Sequence, residues 1–296
     1  MKKPTLPECQ VGILGATSLV GECLGHQLIQ AGYGVTAYSR YTVKPTDNGI
    51  KWQSLSASSP AIVNKDENLP LWICIAPIWV LPEHFSLLEA HRVQRVIVLS
   101  STSRFSKDQS SDPEEQAVAH RLADAEARVQ EWAESREIEW IIIRPTLIYG
   151  LGRDKNIAEI ARFIRRWGFF PLFGKADGLR QPIHAEDVAN VCLSALQSPC
   201  IVNRAYNISG GETLSYRDMV TRVFIALGRH PHLLTVPLWA FRLAVAILHC
   251  LPRYRQWSTA MAERMNSDLV FDHTEAEYDL GFKPGAFIVS ATDLPI

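Results

Sequence analysis

The first stretch whose residue types and spacing could do chemistry is Val11-Gly12-Ile13-Leu14-Gly15-Ala16-Thr17-Ser18-Leu19-Val20-Gly21. It reads as a strand, a tight turn and a helix start. Gly15 accepts the turn without a Cβ penalty, and Gly21 lets the helix lie close to a sheet. The N–H groups of the first helical turn, with the helix dipole, then face a pyrophosphate. Ser18 stands where such loops usually carry their middle glycine. Its hydroxyl can cap the helix and donate to a phosphate. A plain structural turn is the alternative, but a strand before the loop and an amphipathic helix after it favour a dinucleotide. The next strand ends Ala37-Tyr38-Ser39-Arg40. An acidic residue there would grip a ribose 2′-hydroxyl, whereas an arginine suits a 2′-phosphate. Arg40 with Ser39 points to NADP(H) as the preferred cofactor, with NAD(H) possible. A solvated surface arginine is the other reading.

Strands must alternate with helices to hold such a loop. Apolar runs at Val11–Leu14, Gly34–Tyr38, Leu71–Ala76, Arg95–Ser100 and Trp140–Arg144 read as strands, the last three nearly continuous, as in a parallel sheet covered on both faces. Helical patterns at Leu19–Ala31, Trp79–Ala90 and Pro113–Ser135 lie between them. The expected fold is α/β, a Rossmann-type doubly wound parallel sheet. After Gly150 the rhythm changes to helices near Ile157–Trp167, Glu186–Gln197, Tyr216–Leu227 and Leu238–Leu251. Residues 1–150 are expected to form the cofactor domain and residues 151–296 a smaller, mostly helical substrate lobe, with the helix near 186–197 returning to the sheet.

Composition excludes some classes. Thirty Lys and Arg against 31 Asp and Glu leave no broad positive field to capture nucleic acid. Six scattered cysteines show no metal-ligand spacing, so no metal site is expected. The start lacks an apolar signal core, which makes a reducing cytoplasm the expected compartment. Val236–Leu251 is shorter than the ~20 residues that span a bilayer and carries Arg242 at its middle. A buried helix is the preferred reading there over a membrane-surface one.

Taken in order, several motifs resemble the extended short-chain dehydrogenase/reductases, the NAD(P)-dependent epimerase/dehydratase family that includes nucleotide-sugar-modifying enzymes. They are Gly15-Ala16-Thr17, Leu99-Ser100-Ser101-Thr102-Ser103, Arg144-Pro145-Thr146-Leu147-Ile148-Tyr149-Gly150, Leu179-Arg180 with His184-Ala185-Glu186-Asp187-Val188, Tyr206-Asn207-Ile208, and Leu280-Gly281-Phe282-Lys283-Pro284. The resemblance implies cofactor contacts at Gly15, Thr17, Ser18, Leu19, Val20, Gly21, Ser39, Arg40, Ala76, Pro77, Ser100 and Pro145. It implies a substrate-orienting hydroxyl at Thr102, beside Ser101, and a diphosphate contact at Arg180. An ion pair from Arg180 to Glu186 or Asp187 is the alternative, and His184 with Asp187 reads as a fold-holding pair. A homodimer is implied as possible.

One departure is decisive. The family moves its proton with a tyrosine whose pKa is lowered by a lysine four residues later. None of the eight tyrosines here has such a lysine. Aligning Glu126 with the family's acidic residue puts Val118 and Leu122 at the two positions. His120 lies two residues beyond Val118, a rotation of roughly 200°, and should face away as an exposed side chain. Tyr149, with Arg153 four residues on, is chiefly structural in the family. Leu147 also replaces an asparagine that contacts the diphosphate in nucleotide-sugar members. The basic run Arg162-Phe163-Ile164-Arg165-Arg166 reads as a solvated face or a phosphate contact. The expected function is an NADP(H)-binding oxidoreductase or epimerase-like protein acting on a nucleotide sugar or similar polar metabolite through a non-standard proton donor. The alternatives are a catalytically silent NADP(H)-binding sensor or assembly protein, and a membrane-surface scaffold.

Overall fold

In the computed structural model, residues 9–40, 49–55, 68–241 and 259–295 are described. Seven strands pair in parallel: β1 (Gln10–Leu14), β2 (Gly34–Ser39), β3 (Ile50–Ser54), β4 (Leu71–Cys74), β5 (Arg95–Leu99), β6 (Glu139–Pro145) and, after four shorter strands, β11 (Arg204–Ile208). Their order is β11-β6-β5-β4-β1-β2-β3. The chain therefore reverses direction across the sheet between β1 and β4, the switch point where the loops after neighbouring strands part to leave a crevice. The doubly wound expectation holds. Ile-Lys-Trp-Gln-Ser of β3 lies at the sheet edge and half in solvent, so it has no continuous apolar run to announce it.

Both faces of the sheet are covered. On one, α1 (Leu19–Gln30) and α6 (Ala185–Gln197) bury Leu24, Leu28, Val188 and Cys192 against Val11, Ile13, Ile73 and Ile141. On the other, α4 (Pro113–Glu134) presents Leu122, Ala125, Val129 and Trp132 to Trp72, Val96 and Ile142. Asp112 caps α4 by accepting from Glu114 N–H, and Pro113 starts it with a φ suited to the first turn. The expected helix over 79–90 is two elements, a 3₁₀ segment Ile78–His84 followed by α2 (Phe85–Ala90). Pro82 has no N–H to donate, which breaks a regular ladder there.

A second apolar core gathers α5 (Ile157–Trp167), α7 (Tyr216–Ala226), the helix Thr259–Asn266 and the paired strands β8 (Phe170–Phe173) and β13 (Leu233–Val236). Ile157, Ile160, Ala161 and Ile164 form its α5 stripe at helical spacing. Gly168, at φ 77°, ends that helix in the left-handed conformation a Cβ would resist. Most of the expected helix Leu238–Leu251 lies outside the described residues. Among those described, no helix is long and apolar enough to cross a membrane.

Candidate functional site

The carboxyl edge of the sheet carries the β1–α1 turn. Gly15 has φ 87°, and a Cβ there would lie 2.4 Å from the Ala76 backbone nitrogen. A Cβ on Gly21 would meet Gly15 O at 2.5 Å. Both glycines are therefore required by close backbone approach. Ser18 caps α1, its Oγ accepting from Gly21 N–H at 3.1 Å. The remaining first-turn N–H groups have no partner within the helix and give the loop its capacity for an anion.

A cavity of about 210 Å³ opens directly on this turn. Gly15, Thr17 and Ser18 line one side, Ser39 and Arg40 from the end of β2 another, and Ala76 and Pro77 after β4 a third. Seven of the sequence-expected cofactor residues thus share one cavity. Leu19, Val20 and Gly21 sit in the first turn behind it. Leu14, Tyr38, Leu55, Ile75, Val80 and His84 complete the wall and were not foreseen as cofactor contacts. His84 reaches it from the 3₁₀ segment, which no motif marks. Burial pulls the His84 pKa below its ordinary value; Glu83 opposes this and Arg40 adds to it.

Two strands along the sheet, a cavity of about 390 Å³ lies at the ends of β5 and β6. Ser101, Thr102 and Ser103 enter it after β5, and Thr146 and Leu147 after β6. Thr102 is buried and its Oγ1 donates to Pro145 O at 3.0 Å. Ser101 Oγ accepts from Ser103 N–H at 3.1 Å, which leaves its O–H to donate. The two hydroxyls are thus differently committed, Thr102 inward and Ser101 toward the cavity. Ser100 does not line either cavity: its hydroxyl donates to Glu126 Oε1 at 2.5 Å.

Glu126 explains the local architecture. It is 0% exposed and also accepts from Arg144 (Nη2, 2.7 Å) and from Arg104. Two guanidiniums and a hydroxyl satisfy one buried carboxylate, which ties α4 to the ends of β5 and β6. The Val118 and Leu122 side chains have no exchangeable proton. Leu122 is 4% exposed within the apolar core and Val118 packs against the same cluster. His120 is exposed, as its rotation requires.

Arg180 also lines the 390 Å³ cavity, yet its guanidinium is largely spoken for. It donates to Leu179 O and Ser267 O, each at 2.7 Å, and to Arg264 O. Burial lowers its pKa to about 10, partly offset by Tyr216. Its partners are carbonyls, not Glu186 or Asp187. The expected His184–Asp187 pair is also corrected. His184 Nε2 lies 3.1 Å from Asp293 Oδ1, and Asp187 instead accepts from Gly285 N–H. The reason is topological: α6 turns Asp187 toward the segment near Gly285, while the 3₁₀ turn Ala291–Asp293 arrives beside His184. Tyr149 Oη donates to Ile288 O, and Arg153 pairs with Glu22, so these two act separately. Ser209, His273 and Glu277 form a hydrogen-bonded chain, but Ser209 is wholly buried and the chain pins the helix Thr274–Leu280 to the end of β11. Among the described residues, no group of three His, Cys, Asp or Glu could hold a metal ion.

Comparison with known proteins gives a consistent picture. Residues 84–209 match the NAD dependent epimerase/dehydratase family, a span that includes α4, the Arg144–Gly150 stretch and α6. UDP-glucose 4-epimerase of Vibrio cholerae is 24% identical over 162 residues, 55% of this chain and 47% of that protein. The NADH dehydrogenase [ubiquinone] 1 alpha subcomplex subunit 9 of Dictyostelium discoideum is 27% identical over 82 residues, 28% of this chain and 22% of that one. The chain thus spans half or less of these curated relatives. The structure of MoeE5 in complex with UDP-glucose and NAD superposes with a TM-score of 0.67 at 20% identity, covering 93% of both chains.

Proposed function

The chain belongs to the NAD dependent epimerase/dehydratase family, and from that premise we propose that it binds NADP(H) and acts as an oxidoreductase or epimerase-like enzyme on a nucleotide sugar or similar polar metabolite. The observation that carries this reading is the pairing of a cavity on the glycine turn with a separate hydroxyl- and cation-lined cavity on one sheet edge. The turn suits a pyrophosphate, because Gly15 and Gly21 let it close against the Ala76 backbone and the start of α1, where a Cβ would strike Ala76 N or Gly15 O. The helix start beside it offers N–H groups to an anion. Gly15, Thr17 and Ser18 would hold the diphosphate, and Ser39 and Arg40 the 2′-phosphate. When bound, the nicotinamide supplies a hydride acceptor or donor.

The chain's own residues do the rest. Ser101 donates to a substrate oxygen, and Thr102, fixed by Pro145, holds the loop that presents it. Lys107 and Arg264 on the cavity wall favour an anionic substrate, although Glu115 lies 3.7 and 2.7 Å from their nitrogens. The proton at the reacting oxygen comes from water or from a group other than a tyrosine on α4. The free thiols of the five described cysteines suit a reducing cytoplasm.

Titration with NADPH and NADH separately tests the cofactor; stronger NADH binding refutes the NADP(H) preference. Reduced cofactor with a panel of nucleotide-sugar ketones should lose its absorbance. Ser101→Ala should abolish that turnover and Thr102→Val should lower it, both leaving cofactor binding intact. A second reading, a catalytically silent NADP(H)-binding sensor or assembly protein, is favoured by the apolar Val118 and Leu122. Tight NADPH binding with no turnover across the panel selects it.

A further inference from the structure

A third cavity, about 590 Å³, lies beside the reacting one. Leu147 and Asn156 line both. Its character differs sharply. The floor is Ile160, Phe170, Met219 and Met265, all buried, and Phe163 and Tyr216 form the sides. The unbranched methionines let such a floor adapt to a flexible apolar chain. The rim is cationic. Lys155, Arg162 and Arg166 stand there with Glu159 as the single acid on the lining. Glu159 is taken by Arg162 at 2.6 Å, so Lys155 and Arg166 remain in excess. Trp167, 56% exposed, lies under the Arg166 guanidinium with 5.2 Å from its Cζ to the ring centroid. Apolar depth below a positive mouth is the complement of an amphiphilic anion.

We propose that this cavity binds the non-reacting part of the substrate, and that this part is an apolar chain carrying an anionic group at the rim. The inference rests on the proposed reading of the neighbouring cavity as the reacting one and names the class of molecule it takes. A polar end with the reacting oxygen lies against Ser101, and the apolar chain passes Leu147 into the methionine-floored cavity. A nucleotide would leave most of that apolar wall without a partner and its own polar edges unpaired.

Calorimetric titration of the full chain with octyl, decyl and dodecyl phosphate, kept below micelle-forming concentrations, reads this directly. Each buried methylene should tighten binding about fourfold. Decyl phosphate should bind more tightly than UMP and decanol. The exposed rim double variant Lys155→Glu/Arg166→Glu should weaken decyl phosphate about tenfold without changing NADPH affinity. A flat chain-length series, tighter binding of UMP, no effect of the rim variant, or competition between decyl phosphate and NADPH would each overturn the proposal. None of these readouts needs turnover. Failure here alongside intact NADPH binding and turnover of a nucleotide sugar leaves the proposed function standing, and the reverse result separates them equally.

Discussion

The glycine turn after β1 and the helix α4 both lie against the same parallel sheet, and they are built in opposite ways. In the turn after β1, glycines let the backbone close up: Gly15 packs on the Ala76 backbone and Gly21 on Gly15 O, while the Ser18 cap takes the Gly21 N–H beside a cavity. On α4, the two positions that the resemblance aligns with a proton-transfer pair carry Val118 and Leu122, and both pack on the apolar core. Between them Glu126, with Arg104, Arg144 and Ser100, locks the helix in place. The contrast teaches that the glycine turn and the aligned pair positions belong to different helices, α1 and α4, so the character of one does not fix that of the other.

The largest expected effect falls on the lock. Glu126→Gln removes the buried charge shared by the partly exposed Arg104 and Arg144 guanidiniums and should cost about 3–5 kcal/mol of folding stability, read by urea unfolding. An unchanged midpoint would mean that the cluster contributes nothing and α4 is held by packing alone. Next comes Leu122→Ala. A core role predicts a loss of about 2–4 kcal/mol with NADPH affinity within about twofold. A changed turnover at unchanged stability would instead make the position catalytic and erase the contrast. Gly15→Val acts on the other side. Its Cβ would meet Ala76 backbone at 2.4 Å, with φ at 87°. About 2 kcal/mol of strain and at least a hundredfold loss of NADPH affinity are expected, and retained affinity would show that the dinucleotide lies elsewhere.

How far the sequence could carry these conclusions differs between the two regions in the same way. The cradle was legible because its requirements are local: a turn, a cap and a close approach are written in consecutive residues from Val11 to Gly21. The loss of the tyrosine–lysine pair was legible too, since a spacing can be checked for absence. What Arg180 does was not. Its carbonyl partners at Leu179, Arg264 and Ser267 are set by how a helix near residue 260 comes to rest, and no local pattern encodes that. Asp293 beside His184 was hidden for the same reason, at a separation of 109 residues. The strand Ile50–Ser54 escaped because an edge strand does not need a continuous apolar run.

His84 gives the smallest effect and the finest test of the cradle. It lines the cavity with Arg40, and burial, with Glu83 opposing and Arg40 assisting, holds its folded-state pKa below the unfolded value near ~6.5. The folded chain therefore binds fewer protons there than the unfolded chain once pH falls into that range. Stability linked to His84 is complete above the unfolded pKa and is lost as pH falls through that value toward the folded one. Comparing cofactor-free Tm at pH 7.5 and pH 5.5 should show His84→Asn losing less than the unmodified chain, by at most about 2 °C. Other groups titrate in both proteins and cancel in the difference. An identical pH response would mean that His84 is as well solvated in the fold as outside it, and that the cavity wall beside Arg40 is open to water there. A larger loss in the variant would reverse the sign, placing a stabilised imidazolium against the cradle and turning its chemistry toward an anion even without a cofactor.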